Sequence, residues 1–99
     1  MSVLGDGALA IVRERLRQVT VEGYQPEHDA SHTGRDLAWA AFCYIDRALS
    51  DTPANPAVPQ AWPWDDHDWK PGEPMRMLVK AGALIAAEVD RLLAERDRA

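Results

Sequence analysis

Between Asp6 and Val21 the chain reads DGALAIVRERLRQVTV, which places Leu9, Val12, Leu16 and Val19 at helical spacing and leaves Arg13, Glu14, Arg17 and Gln18 on the remaining surface. The pattern predicts an amphipathic helix over about 6–21, with Asp6 as N-cap and Gly23 as stop. The next stretch, YQPEHDASH, is polar, contains Pro26 and has no period, so it is a connector. Thr33 followed by Asp36 resembles a capping box and starts a second helix over about 34–49. Its middle, LAWAAFCYI, is apolar on nearly every side, which predicts a place at the centre of a bundle or in a subunit interface. A third helix, over about 74–97, has Pro74 in its first turn and a stripe of Leu78, Ala81, Ile85, Val89 and Leu92. The small residues Ala81, Gly82, Ala83, Ala86 and Ala87 permit close approach by another helix.

The segment between the second and third helices interrupts this pattern. Pro53, Pro56, Pro59, Pro63, Pro71 and Pro74 fix φ repeatedly and remove amide donors, so residues 51–73 form an extended excursion rather than a helix or strand. Trp62, Trp64 and Trp69 in the same segment predict that it is ordered from Trp62 onward, because disordered segments are poor in aromatic residues.

Composition narrows the class. A chain of 99 residues is expected to form one domain with a modest core, and its net charge of −5 argues against broad binding to duplex nucleic acid. Cys43 is the only cysteine, lies in an apolar run, and reads as a small core residue in a reducing compartment. No stretch is apolar enough to span a membrane, and the N-terminus has no basic region ahead of its apolar part, so the expected location is cytoplasmic. The expected architecture is an all-α three-helix bundle with a long ordered Pro/Trp-rich loop between helices two and three, assembled as a homo-oligomer.

Candidate chemistry gathers in the polar connector and the tryptophan loop. Trp62, Trp64 and Trp69 serve either as a hydrophobic lid or, in part, as a platform for a flat ligand whose phosphates meet Lys70, Arg76 or His67. His28 and His32 flank Asp29 at a spacing that seats a metal only within a helix, whereas Pro26 places them in a loop, so hydrogen bonding to a ligand or to the loop is the stronger reading. Asp65, Asp66 and Asp68 are a candidate magnesium site or, more simply, acidic turn residues. Glu88 beside the third helix's stripe is the carboxylate expected to be partly buried, with Arg13, Arg15 or Arg17 as its partner. No cofactor is implied, since no Gly-rich phosphate loop, Cys-x-x-Cys or nucleophile-elbow motif is present.

The ordered set RERLRQVTVEGYQPEHDASHTGRDLAWAAFCY, WPWDDHDWKP and RMLVKAGALIAAEVDRL resembles a family of small helical proteins encoded by phages and prophages, over nearly the whole chain. The resemblance implies a phage accessory protein acting inside a bacterium, and it carries over no catalytic residue. In size and expected assembly the chain is also similar to small phage proteins that trap nucleotide immune signals without cleaving them, an analogy of setting rather than of motif.

The leading expectation is therefore a homo-oligomer that sequesters a small nucleotide-derived signal, a cyclic dinucleotide or ADP-ribose derivative. In it Trp64 or Trp69 stacks on the base, Lys70, Arg76 and Arg35 bind phosphate, and Tyr24, His28 and His32 complete the site. A magnesium-dependent pyrophosphohydrolase related to MazG is the rival. It needs E-x-x-E on one helix and E-x-x-D on another, and neither pair is evident. An inhibitor that binds a host defence enzyme through helix two and the tryptophans is the third possibility.

Overall fold

A computed structural model describes residues 5–21, 35–50 and 57–98. Among these residues the regular structure is wholly helical: α1 (Asp6–Thr20), α2 (Asp36–Leu49), a single 3-10 turn (Asp66–Asp68) and α3 (Pro74–Arg98). None of these helices is long and apolar enough to cross a membrane. Arg35 occupies the N-cap of α2 with φ 68°, in the left-handed region, and donates no side-chain cap.

The long helix α3 is the centre of the fold, with α2 packed on one side and α1 on another. Leu37, Ala40, Ala41 and Tyr44 of α2 meet Met77, Ala81, Leu84 and Ala87 of α3 in one apolar cluster. Alanines on both sides of this contact let the two backbones approach closely, and Leu37 and Leu84, with essentially no exposed surface, fill the space between. The expectation that α2 is central does not hold. Only one side of it is buried, and Trp39 and Phe42, in edge-to-face contact at 5.7 Å, stand half exposed on its outer side.

The tryptophan segment closes the α2–α3 seam. Trp62 and Trp69 are buried in the core, Trp69 stacked on Tyr44 at 4.8 Å between ring centroids and Trp62 edge-on to both. The turn that brings the two indoles together is tied by Trp62 Nε1, which donates to the Asp65 carbonyl at 3.0 Å, and by the Asp68 amide, which donates to the same oxygen. Each buried indole removes about 150–250 Å² from water, a large contribution for so small a chain.

Helix α1 is arranged against its sequence pattern. Glu14 and Gln18, expected on the outer surface, are 2 % and 3 % exposed, whereas Val12 and Leu16, expected inside, are each 62 % exposed. Glu14 and Gln18 on one flank of α1 meet α3 at Arg76 and Lys80, while Ile11 and Arg15 on the other flank meet it at Gly82 and Asp90. Contacts so widely spread along α3 mean that α1 lies across it rather than alongside. The crossing is at Gly82, where an added Cβ would sit 2.7 Å from Ile11 Cδ1, so glycine is what allows the two helices to touch.

Candidate functional site

The inward polar face of α1 builds a basic corner around one carboxylate. Glu14 receives Arg17 Nε at 2.9 Å and Arg17 Nη2 at 2.8 Å from one turn away, and Arg76 Nη2 from α3. Gln18 Nε2 reaches the same carboxylate at 3.4 Å. Burial pushes the Glu14 carboxyl upward, but the hydrogen bonds and charges of Arg17 and Arg76 together outweigh it and hold the group below its ordinary value of 4.5. Glu14 is therefore ionised, and its lone pairs are committed.

Two concavities lie beside this bridge. The first is a notch of about 30 Å³ whose walls include Arg17, Gln18, Tyr44, Trp64, Lys70 and Lys80. It has room for about one water molecule and none for a nucleobase. Lys80 Nζ crosses its rim, donating to the Lys70 carbonyl at 2.8 Å and lying 5.4 Å from the centre of the Tyr44 ring. Burial first, then the charges of Arg76, Arg17 and Lys70, push the Lys80 ammonium below its usual range, against the pull of Glu14. Gln18 Oε1, buried at the same place, has no hydrogen-bond partner among the described residues.

The second is an open groove of about 390 Å³ between α1 and the start of α3. Its walls are mostly apolar and are formed by Ala10, Met75 and Val79 together with Arg13, Glu14, Arg17, Glu73 and Arg76, of which Arg17 and Arg76 hold Glu14 with their guanidinium groups. Arg17 belongs to both cavities and so joins the groove to the notch.

Of the residues singled out in the sequence, Trp64, Lys70 and Arg76 come to this corner, with Trp64 and Lys70 on the notch and Arg76 in the groove. Trp69 is placed elsewhere: the residue is 7 % exposed, its ring packs on Tyr44 and Trp62, and it lines a separate concavity of about 260 Å³ with Cys43, Arg47 and Val58. Arg35 is exposed at the N-cap of α2 and lines neither cavity. Tyr24, His28 and His32 lie outside the described residues.

Glu88 is buried as expected of it, but its partner is Arg91 of its own helix, at 2.7 Å, and not an arginine of α1. The local pair wins because it closes one turn of a helix already formed. Asp65, His67 and Asp68 offer ligand atoms within 4.8 Å of one another, in an exposed turn where His67 Nε2 lies 3.3 Å from Asp68 Oδ1. Cys43 is buried and free, and burial, with Asp46 beside it, raises its thiol further from the reactive thiolate.

Arg13, Glu14 and Arg17 are members of the site that the sequence pattern places on the outer surface of the first helix, and Lys80 is one that it does not single out. The one local signal was Glu14 with Arg17 and Gln18 at i+3 and i+4, a polar triad on a single helix face. Comparison of the chain with protein-family models, with curated proteins and with solved structures finds no match.

Proposed function

We propose that this chain binds and holds, without cleaving it, a small phosphate-bearing ligand of nucleotide-derived chemistry, in the groove between α1 and the start of α3. The observation that carries the reading is the convergence of Arg13, Arg17 and Arg76 on one groove of about 390 Å³, in a chain whose net charge is −5. Guanidinium groups suit phosphate because their fixed fork donates two parallel N–H bonds, and the volume falls within the roughly 300–1,000 Å³ of small-molecule sites. Arg13 makes no ion pair among the described residues and is exposed, so its charge is the one offered most directly to a ligand. The apolar lining of Ala10, Met75 and Val79 provides a surface for the flat part of the ligand, a role the sequence had suggested for an indole.

Retention without hydrolysis is favoured because the two carboxylates buried among the described residues, Glu14 and Glu88, are engaged by arginines. A pyrophosphohydrolase of the MazG kind would need such carboxylates for magnesium. In the phage setting that the resemblance implies, the ligand would be an immune signal such as a cyclic dinucleotide or an ADP-ribose derivative. The half-exposed Trp39–Phe42 pair favours a second reading, in which the outer side of α2 engages a host protein.

A thermal-shift screen against a nucleotide library without magnesium, followed by mass analysis of the ligand released on denaturation, tests the proposal. At least one nucleotide is expected to raise Tm and to be recovered intact. Magnesium-dependent consumption that stops in chelator would favour the enzyme. No shift with any nucleotide would overturn ligand binding.

A further inference from the structure

Gln18 is 3 % exposed, on the face of α1 that meets α3. Its Nε2 donates to Glu14 Oε2 at 3.4 Å and to the Lys80 carbonyl at 3.5 Å. Both partners are acceptors only, so the amide nitrogen is the atom that faces them. The Gln18 Oε1 is left on the other side of the amide group, buried and without a hydrogen-bond partner among the described residues. A buried acceptor so placed has lost its hydration without gaining a donor, a state that native structures relieve with an ordered water far more often than they tolerate it.

The missing donor stands close by. Gln18 and Lys80 line the same notch of about 30 Å³, which is room for about one water. The Lys80 ammonium carries three N–H groups and gives one to the Lys70 carbonyl at 2.8 Å, while the other two meet no oxygen acceptor among the described residues. An acceptor short of a donor and a donor short of an acceptor thus share one cavity, too far apart to bond each other directly.

We propose that the notch is a binding site for one ordered water molecule, which donates a hydrogen bond to Gln18 Oε1 and accepts one from Lys80 Nζ. Water fits because it both gives and receives. An anion has no hydrogen to offer the Gln18 oxygen, and a cation would sit among Arg17, Lys70 and Lys80 against the single carboxylate of Asp68. The water extends the Glu14–Gln18 pair across to Lys80 and the Lys70 carbonyl, so that α1, α3 and the segment before α3 join in one polar network. The site needs no ligand in the arginine groove, so either proposal can fail alone.

A crystal structure of the wild-type chain at a resolution that orders solvent tests the site. One water peak is expected within hydrogen-bonding distance of both Gln18 Oε1 and Lys80 Nζ. A notch without a solvent peak, a peak that reaches only one of the two atoms, a halide identified by its anomalous signal, or Gln18 Oε1 bonded directly to a protein donor would each overturn the proposal. Gln18→Met keeps the length of the side chain and removes the acceptor, so it is expected to lose the peak while α1 still crosses α3; a water that stays in place would overturn the role of Gln18. Should that variant fail to fold, Lys80→Met decides through the same peak, whose loss supports the bridge and whose persistence overturns it.

Discussion

Arg76, in the first turns of α3, hydrogen-bonds Glu14 in the middle of α1, and this pair ties the polar face of α1 inward against α3. Burying a carboxylate with no cation beside it costs several kcal/mol, and here Arg17 of the same helix and Arg76 of α3 both compensate Glu14. The bridge therefore has two consequences. It brings Arg17 and Arg76 together beside the groove, and with Glu14 facing inward Leu9, Val12 and Leu16 stand exposed on the other side of α1.

The first prediction concerns pH. The Glu14 carboxyl is held below its ordinary value of 4.5, so its contribution to stability is present at neutral pH and is lost as pH falls through the lowered folded-state value. Urea denaturation from pH 7 downward should show wild type losing stability in that acidic window. Glu14→Gln should be weaker at pH 7 by about 1–3 kcal/mol and should lose less on acidification. A Glu14→Gln chain with the wild-type pH profile would contradict the assignment.

Gly82 offers a test of the α1–α3 crossing. Replacing it by alanine gains about 1 kcal/mol of helix propensity, while the new methyl meets Ile11 at 2.7 Å and forces that side chain aside. The expected net change is small and unfavourable. Shortening Ile11 to valine in the same chain should restore about 0.5–1 kcal/mol relative to the sum of the single changes, read as a double-mutant cycle. Strict additivity would mean that the helices do not cross there.

Trp69 and Trp64 should separate in their effects. Trp69 is a core residue stacked on Tyr44, so Trp69→Ala should cost about 3–5 kcal/mol in chemical denaturation. Trp64 is only partly buried and packs edge-on to Trp62 at 5.4 Å, so Trp64→Ala should cost clearly less. Equal losses would contradict the division of the tryptophan block into core and rim.

How far the sequence could be read follows from the range of the interactions. Helical class was legible because Leu9, Val12 and Leu16, and Leu78, Ile85 and Leu92, repeat at a period that only a helix satisfies. Which side of each helix is buried was not, since a stripe is assumed to face the chain's own core. In α1 that assumption fails, because Arg76 stands 62 residues away in sequence and no local pattern announces it. The tryptophan loop was legible as a place of importance through its aromatic content. That Trp69 would be consumed by Tyr44 depended on the way α2 and the loop meet.

The most direct test of the account is nucleotide binding to Arg13→Ala beside wild type, by calorimetric titration at two salt concentrations. Wild type should bind a phosphate-bearing nucleotide more weakly as salt rises, and Arg13→Ala should lose most of that affinity while melting as wild type does, because Arg13 holds no internal ion pair among the described residues. Undiminished binding by Arg13→Ala, or affinity indifferent to salt, would contradict a groove that works through its guanidinium groups.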